Sequence, residues 1–310
     1  ERYFGLAFRE KLQEWLRRPA RDVAPGVSVI EKEREEIWVH EALIVPAGGR
    51  FDAIVVADTL ETGYGCVLLR EVYSRHDCRL GDANVVQALA GDGAVRLGRG
   101  TRVIRWVDAV EDLVIEPHCR VLGRATSATR LTLHVGAKVT SACAPVVTTV
   151  GTISEPPADV LSADDVSRVV LADDESAWHT IGASGIRRQL SSDCVGYDGD
   201  LVLPAVTIRS KLVVRGDLLI GPHSIVEGDI KATGSIHVGA QSNCRGSLVA
   251  GRDVHLASRV TFRGVIFAEG SIAMAAGVTG VRSDPGVAVY AAETVSLQPG
   301  VTIHGKVSSG

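Results

Sequence analysis

The chain has 310 residues, of which 45% are hydrophobic and only 5% aromatic, and 33 of them are glycine. Its 33 basic and 37 acidic side chains give a formal charge of -4, which argues against the basic surface typical of nucleic-acid-binding proteins. A core can be built from this hydrophobic fraction, and the scarcity of aromatic rings favours a narrow core of small aliphatic side chains, as in repeat proteins.

The six cysteines provide no recognisable metal or redox motif. They form no C-x-x-C pair and no Cys/His cluster with zinc spacing. We therefore expect no cofactor and interpret them as buried free thiols of a cytoplasmic protein. The sequence shows neither a signal peptide nor an apolar run of about 18 residues. Because the first residue is Glu1 rather than Met, a segment that precedes it could provide association with a membrane.

Residues 1–49 are predicted to be an N-terminal cap, partly helical and partly extended. In "FREKLQEWLRRP" the side chains of Phe8, Leu12, Trp15 and Leu16 form one apolar stripe at helical spacing, and Pro19 ends the helix. The end coil of a repeat protein exposes core and unpaired backbone. We expect this helix to cover such an end, with a membrane-surface or partner helix as the alternative.

Residues 50–150 form a first, loosely periodic block of about five coils. Apolar pairs recur at steps of about 18 residues, with one step shorter by a single residue. These pairs are Leu60 with Thr62, Cys78 with Leu80, Val95 with Leu97, Leu113 with Ile115, and Leu131 with Leu133. Residues 151–190 break this period. Pro156 and Pro157 interrupt them, acidic side chains gather at 164–175, and Ser162 is placed to cap a short helix. This interval is predicted to be a linker.

Residues 191–310 form a second and more regular block. One repeat position recurs at a constant interval, at Gly216, Gly234, Arg252 and Gly270, and a second keeps the same interval at Gly228, Gly246 and Gly264. Each is followed by an apolar pair spaced by two, such as Leu218 with Ile220 and Ile230 with Ala232. A third pair lies between them, as in Ser224 with Val226. Spacing by two places both side chains on one face of a short strand.

Three short strands per period predict a triangular coil, and stacked coils predict a parallel β-solenoid in which equivalent residues form ladders. We expect the glycines at the corners, where a turn requires backbone angles that a Cβ opposes. A phosphate-binding loop is disfavoured because no copy of the repeat has the G-x-x-x-x-G-K-[ST] form before a helix. The last coil is predicted near Val295–Ile303, after an insertion at 279–290.

The solenoid prediction places an apolar patch on the outside of the second block. Val249, Val265 and Phe267 occupy outward positions, and a soluble monomer tends to cover such a patch. The favoured interpretation is that the insertion at 279–290 or the linker packs over it. The alternative is a surface for self-association or for a protein partner.

The stretches "GDLLIG", "VEGDIKATGSIHVG" and "RGSLVAGRDVHL" resemble the bactofilins, bacterial polymer-forming cytoskeletal proteins. The resemblance is best over 198–278 and weaker over 50–150. It implies a right-handed parallel β-helix that is not an enzyme, assembles end to end without nucleotide, often near the membrane, and recruits other proteins. Bactofilins usually have one β-helix with short tails, so the second block, linker and helix found here are departures that would be able to block polymerisation.

The alternative comes from the hexapeptide repeat, because one period also equals three hexapeptides. "IGPHSI" at 220–225 and "VGAQSN" at 238–243 are similar to left-handed β-helix acyltransferases, which generally use a histidine as general base. The candidates are His223, His237, His255 and His304. His237 and His255 lie one coil apart, so they should stack on an outward face. A metal site is disfavoured because Leu219 and Ala273 occupy the equivalent positions in the adjacent coils.

Overall fold

The computed structural model describes residues 3–32, 35–151, 169–171, 185–281 and 286–310. It is nearly all β, with 57% of residues in strands and 4% in helix, and it forms a parallel β-solenoid of about 13 turns with one short N-terminal helix. The fold class predicted from the repeat period is therefore confirmed.

The chain divides into two compact units, residues 1–148 and 149–310. The first contains helix α1 (Tyr3–Trp15) and the strands β1 to β16, of which β16 continues two residues beyond its boundary. These are β1 (Arg21–Ala24), β2 (Val27–Lys32), β3 (Glu35–Val45), β4 (Arg50–Phe51), β5 (Ile54–Thr62), β6 (Val67–Ser74), β7 (Cys78–Leu80), β8 (Val85–Gly91), β9 (Val95–Leu97), β10 (Arg102–Val103), β11 (Trp106–Ala109), β12 (Leu113–Ile115), β13 (Arg120–Ser127), β14 (Arg130–His134), β15 (Lys138–Cys143) and β16 (Val146–Val150).

The second unit has shorter and more regular strands. They are β17 (Val169–Leu171), β18 (Ile186–Ser191), β19 (Cys194–Asp198), β20 (Leu201–Leu203), β21 (Val206–Ile208), β22 (Lys211–Arg215), β23 (Leu218–Ile220), β24 (Ile225–Val226), β25 (Ile230–Ala232), β26 (Ile236–Val238), β27 (Asn243–Cys244), β28 (Leu248–Ala250), β29 (Val254–Leu256), β30 (Thr261–Phe262), β31 (Val265–Ala268), β32 (Ile272–Met274), β33 (Thr279–Gly280), β34 (Val287–Ala291), β35 (Val295–Leu297), β36 (Thr302–Ile303) and β37 (Gly305–Ser309).

Each coil of the second unit contributes one strand to each of three parallel columns. The first column runs β20-β23-β26-β29-β32-β35, the second β21-β24-β27-β30-β33-β36, and the third β22-β25-β28-β31-β34-β37. The register is the predicted step of one period: Ile230 pairs with Leu248, and Leu248 with Ile266. Strands this short are marginal alone, so the unit is stabilised by hydrogen bonds between successive coils.

The interior of the second unit is filled by the predicted inward pairs. Leu248 and Ala250 of β28 are fully buried, as are Val254 and Leu256 of β29. The third predicted pair is also buried, although Ser242 lies just before β27 (Asn243–Cys244). Its hydroxyl accepts a hydrogen bond from the Ser224 backbone N–H at 3.0 Å, so buried serines join successive coils.

Aspartates after the repeat glycines also join the coils. Asp217 Oδ1 accepts from the backbone N–H of Ser235 at 2.7 Å, and Asp229 Oδ1 accepts from that of Ser247 at 2.8 Å. The backbone N–H of Asp217 in turn donates to Asp200 at 2.8 Å. The recurring Gly-Asp pair is therefore explained by a structural role, because it satisfies backbone donors at a corner where no strand pairing is available.

The repeat glycines are required for a different reason from the one expected. Gly228, Gly246 and Gly264 do not have the left-handed backbone angles predicted for them; a Cβ at Gly264 would instead lie 2.6 Å from the carbonyl oxygen of Gly246 in the coil before. The left-handed position is elsewhere in the coil. It is occupied by His223, Gln241 and Arg259, each with φ of 58°, and then by Gly277 and Gly300.

Both regular stacks begin with an antiparallel hairpin. In the first unit β2 pairs antiparallel with β3, which pairs in parallel with β5, so stacking starts before the predicted boundary at residue 50. In the second unit β18 pairs antiparallel with β19, which pairs in parallel with β22. Two parts of the predicted linker, β17 and β18, thus belong to the sheets. Pro156, Pro157, Ser162 and the acidic side chains at 164–165 and 173–175 lie outside the described residues.

Candidate interaction surfaces

Helix α1 lies along a flank of the first unit, whereas the sequence predicted that it covers an end coil. Leu12 is only 1% exposed and belongs to a cluster with Ile30 of the hairpin strand β2 and with residues of β3, β5, β6, β8 and β11, which lie in successive coils. Phe8 contacts Trp106 edge to face, with ring centroids 5.7 Å apart, and Trp15 and Leu16 pack against the same cluster. The predicted stripe is therefore the buried face of the helix, but its position as an end cap is wrong.

The flank beneath α1 explains this position, because its outward side chains are apolar. In a strand with one face toward the core, the other face is normally polar. Here the outward residues beneath the helix are apolar instead. We call this surface the covered flank and define it as Ile54, Val56, Tyr73, Ala88, Ala90 and Trp106. The helix removes this surface from water, which is the physical reason for its amphipathic sequence.

Arg9 anchors the helix to the flank through a buried polar cluster. Its side chain is 14% exposed and forms ion pairs with Asp108 and, at 2.7 Å, with Asp92. Its guanidinium also donates to the Gly91 carbonyl oxygen at 2.8 Å. Burial alone would lower the pKa of Arg9, but the hydrogen bonds and charges of Asp108 and Asp92 raise it above its ordinary value. The arginine is therefore fully charged where it is held.

Tyr73 completes this cluster from beneath. Its hydroxyl donates to Asp92, and burial, together with the hydrogen bond to Asp92 and its charge, raises the pKa of Tyr73 to about 12. Gly5 is placed where α1 approaches most closely, since a Cβ there would collide with the Asp108 side chain. Only glycine allows the helix to lie this near the carboxylate.

The first coil of the first unit is closed by aromatic rings rather than by α1. Trp38 and His40 pair with Val55 and Ala57, whose side chains face the interior, and so continue these inward ladders by one coil. The His40 ring lies 6.3 Å from that of Trp38 and 6.5 Å from that of Phe51. Burial lowers the pKa of His40, and its Nε2 is buried without a hydrogen-bond partner among the described groups.

The predicted apolar patch of the second unit is an ordered ladder. Val249 pairs with Phe267, and Phe267 with Tyr290, on the outward face of the third column. The rings of Phe267 and Tyr290 are stacked, with centroids 5.4 Å apart and planes 12° apart. We call Val249, Phe267, Tyr290 and the neighbouring Val265 the apolar ladder. Val265 is 39% and Tyr290 40% exposed, so the ladder is accessible within the described part of the chain.

The insertion at 279–290 extends the apolar ladder rather than covering it. Its described residues form β33 and the start of β34, which pair with β30 and β31 as ordinary members of the stack. Tyr290 thereby becomes the third rung. Residues 282–285 lie outside the described chain. The expectation that this insertion packs over the patch is therefore wrong for its described residues.

The predicted histidine pair is stacked on the outward face of the first column. His237 pairs with His255, flanked by Leu219 and Ala273 in the adjacent coils, as expected. The pair lines a shallow groove of about 450 Å³. Burial and the neighbouring His255 lower the pKa of His237, against the opposing charges of Asp217 and Asp253. Its imidazole is therefore kept neutral to a lower pH than usual.

The other candidate histidines do not join this pair. His223 occupies the left-handed turn, with φ of 58°, and His304 follows β36 in a different column. Across the described ranges, no group of three His, Cys, Asp or Glu side chains is placed to hold a metal ion. Burial raises the pKa of Cys78, which also lies near Asp77, and of Cys244 to about 12 in each case. These two thiols are poorly suited to act as nucleophiles.

Sequence reasoning missed Arg9, Tyr290 and the ring cluster of Trp38, His40 and Phe51. Arg9 occupies a helical position beside Phe8, but its partner Asp92 is 83 residues away and nothing local connects them. Tyr290 was detectable in principle, because it continues the outward column once the insertion is recognised as part of the stack.

Comparison of the chain with protein-family models, with curated proteins and with solved structures finds no match. None of the helices within the described residues has the length and hydropathy needed to cross a bilayer.

Proposed function

We propose that the protein is a non-enzymatic structural scaffold of the bactofilin type, and that it associates with copies of itself. The observation that carries this proposal is the regularity of the second unit. Its three columns continue from β20 to β37 in parallel register, and the residues facing the interior are mostly apolar, with buried serines hydrogen-bonded between coils. Such a stack is stiff, because each strand is hydrogen-bonded on both sides by its own equivalents.

The surfaces of the molecule support a role in contact with other proteins. The apolar ladder leaves aromatic side chains partly exposed in a row, which is unusual for a surface without a partner. The six free cysteines support a cytoplasmic location as part of the same proposal. The resemblance to bactofilins over 198–278 adds the expectation that assembly requires no nucleotide, near a membrane in some contexts.

The start of the first unit limits where assembly can take place. The hairpin of β1 and β2 occupies the edge of β3, so growth by backbone pairing on β3 would require the hairpin to move. Strand β1 is short, exposed and charged at Arg21 and Asp22, features that discourage pairing with a further strand.

Negative-stain electron microscopy and light scattering of the purified chain, at micromolar concentration with and without ATP, would test the proposal. Filaments or regular oligomers that form equally in both buffers would support it. A strictly monomeric protein over the whole concentration range would refute the self-association on which it depends.

A second candidate is a hexapeptide-repeat acyltransferase, which the groove beside His237 and His255 favours. A general base must be neutral at the working pH, and the lowered pKa of His237 satisfies this condition. Particles of trimer mass would favour this candidate, together with acyl-CoA turnover that is lost in His237→Ala and retained in the control His76→Ala, which changes an exposed histidine of the first unit.

A further inference from the structure

The apolar ladder occupies the same place in the coil as the flank that α1 covers in the first unit. In both units the ladder residue points outward between two buried neighbours of its own strand: Tyr73 lies between Val72 and Ser74 in β6, and Phe267 lies between Ile266 and Ala268 in β31. On the covered flank one ladder runs through Val56, Tyr73 and Ala90; in the second unit the equivalent ladder is Val249, Phe267 and Tyr290. One flank is covered by a helix, and its equivalent is open among the described residues.

The charge at the margin of the two flanks also corresponds. Asp92, which holds Arg9, directly follows the last residue of β8 and lies two residues after Ala90 of the ladder. Glu269 directly follows the last residue of β31 and lies two residues after Phe267 of the ladder. The backbone N–H of each bonds to the preceding coil, at 2.9 Å for Asp92 and 3.1 Å for Glu269.

Glu269 therefore places a carboxylate at the position in the coil where, in the first unit, Asp92 pairs with Arg9. Its side chain is exposed, and within the described part of the chain it takes part in no ion pair. An apolar row with an uncompensated carboxylate at its margin is complementary to a helix that carries an apolar stripe and one basic residue beside it.

We propose that the apolar ladder is a docking site for an amphipathic helix of a protein partner, with the chemistry of α1. Such a helix has an aromatic and leucine stripe that covers Val249, Phe267 and Tyr290, and an arginine that pairs with Glu269. This inference goes beyond the scaffold proposal and is independent of it, because a chain that forms no filaments would still bind the helix.

The test uses a fluorescent peptide of residues 3–19 as the probe and the full chain as the receptor, with binding measured by fluorescence anisotropy. We expect saturable binding to the wild type, weakened about tenfold or more by Phe267→Asp and severalfold by Glu269→Lys. Val202→Asp is the matched control, because Val202 is a 64% exposed outward valine of β20 in another column. It should bind as the wild type does.

Charge reversal gives a second, more specific measurement. A peptide with Arg9→Glu should bind the wild type severalfold more weakly than the original peptide, and should regain affinity for the Glu269→Lys chain. Circular dichroism confirms that each variant is folded, and Phe267→Ala provides a milder change at the same position.

Absence of binding to the folded wild type would overturn the proposal. So would equal affinity for the wild type and Phe267→Asp, because the peptide would then be exchanging with α1 on the covered flank. If the Glu269→Lys chain also bound the original peptide more tightly than the Arg9→Glu peptide, by the same factor as the wild type, the assigned contact between the arginine and Glu269 would be refuted.

Discussion

His237 and His255 stack face to face on the solenoid surface, with ring centroids 4.5 Å apart and planes 10° apart. Two imidazolium ions at this separation would repel, so the stack is favoured when at least one ring is neutral. Parallel pairing in register forces this proximity, because His237 and His255 are direct partners in β26 and β29.

The stack predicts a contribution of His237 to acid sensitivity. Burial and His255 lower its pKa in the folded protein, so between that value and about 6.5 the unfolded chain binds more protons. Stability is therefore present above this window and is lost as the pH falls through it. Replacing His255 by Gln should raise the pKa of His237, measured by NMR titration. An unchanged pKa would contradict the coupling, and His76→Gln should have no effect.

His40 predicts a second acid-sensitive contribution, from the closed end of the first unit. Its pKa is lowered by burial, so the free energy of unfolding depends on pH in the same direction as for His237. The stabilisation is retained above about pH 6.5 and lost as the pH falls below it. In His40→Leu, the loss of unfolding free energy between pH 7 and pH 5 should be smaller than in the wild type. Urea denaturation at the two pH values measures this difference, and an identical loss in both proteins would rule out the assignment.

Arg9 is predicted to hold α1 on the covered flank. In Arg9→Met the carboxylates of Asp92 and Asp108 lose their partner. Because Asp92 is 38% exposed while Arg9 and Asp108 are each 14% exposed, the cost should lie between those of an exposed and a fully buried pair, about 1–3 kcal/mol. Hydrogen exchange of the α1 amides should become faster while exchange in β28 is unchanged. The exposed Arg17 provides the control, since Arg17→Met should leave α1 protected. Full protection in Arg9→Met would show that the apolar stripe alone holds the helix.

Gly264 is predicted to be required for the close approach of successive coils. A Cβ there would lie 2.6 Å from the Gly246 carbonyl oxygen, whereas a Cβ at Gly286 would meet nothing within 4 Å. Gly264→Ala should therefore lower the free energy of unfolding by about 1–3 kcal/mol, and Gly286→Ala should change it by less than about 1 kcal/mol. Equal stability of the two variants in chemical denaturation would refute the steric explanation.

The interior thiols are predicted to be unreactive in the folded protein. Cys78 and Cys244 are fully buried and burial raises their pKa values to about 12, so the thiolate fraction at pH 8 is very small. Ellman's reagent should modify Cys143 and Cys194, which are partly exposed, well before these two. All should react in denaturant. Rapid modification of Cys244 in the native state would mean that the stack opens locally.

The repeat register could be predicted because the spacing of the apolar residues in the sequence determines which residues pair in successive coils. The predicted series Leu60, Cys78, Val95, Leu113 and Leu131 is one hydrogen-bonded ladder in the structure. Parallel stacking converts the repeat period directly into spatial contact, so the outward patch and the histidine stack followed from the same rule.

The position of α1 could not be predicted in this way. An apolar stripe shows that a helix is covered on one side, but it does not identify the surface that covers it. That surface depends on outward residues such as Val56 and Tyr73, which are apolar in a region where the period is loose. The role of the glycines was also hidden, because close approach to a neighbouring backbone and a left-handed turn both require glycine in the sequence.

The strict register of β25, β28 and β31 has a consequence for the length of the second unit. Because Ile230, Leu248 and Ile266 are equivalent partners, excision of one complete period would join a strand to another of the same kind and restore every hydrogen bond. An excision one residue short of a period would turn the inward side chains outward. The second unit can therefore be lengthened or shortened by whole coils, and each such change preserves the three columns of strands and the cross-section of the coil.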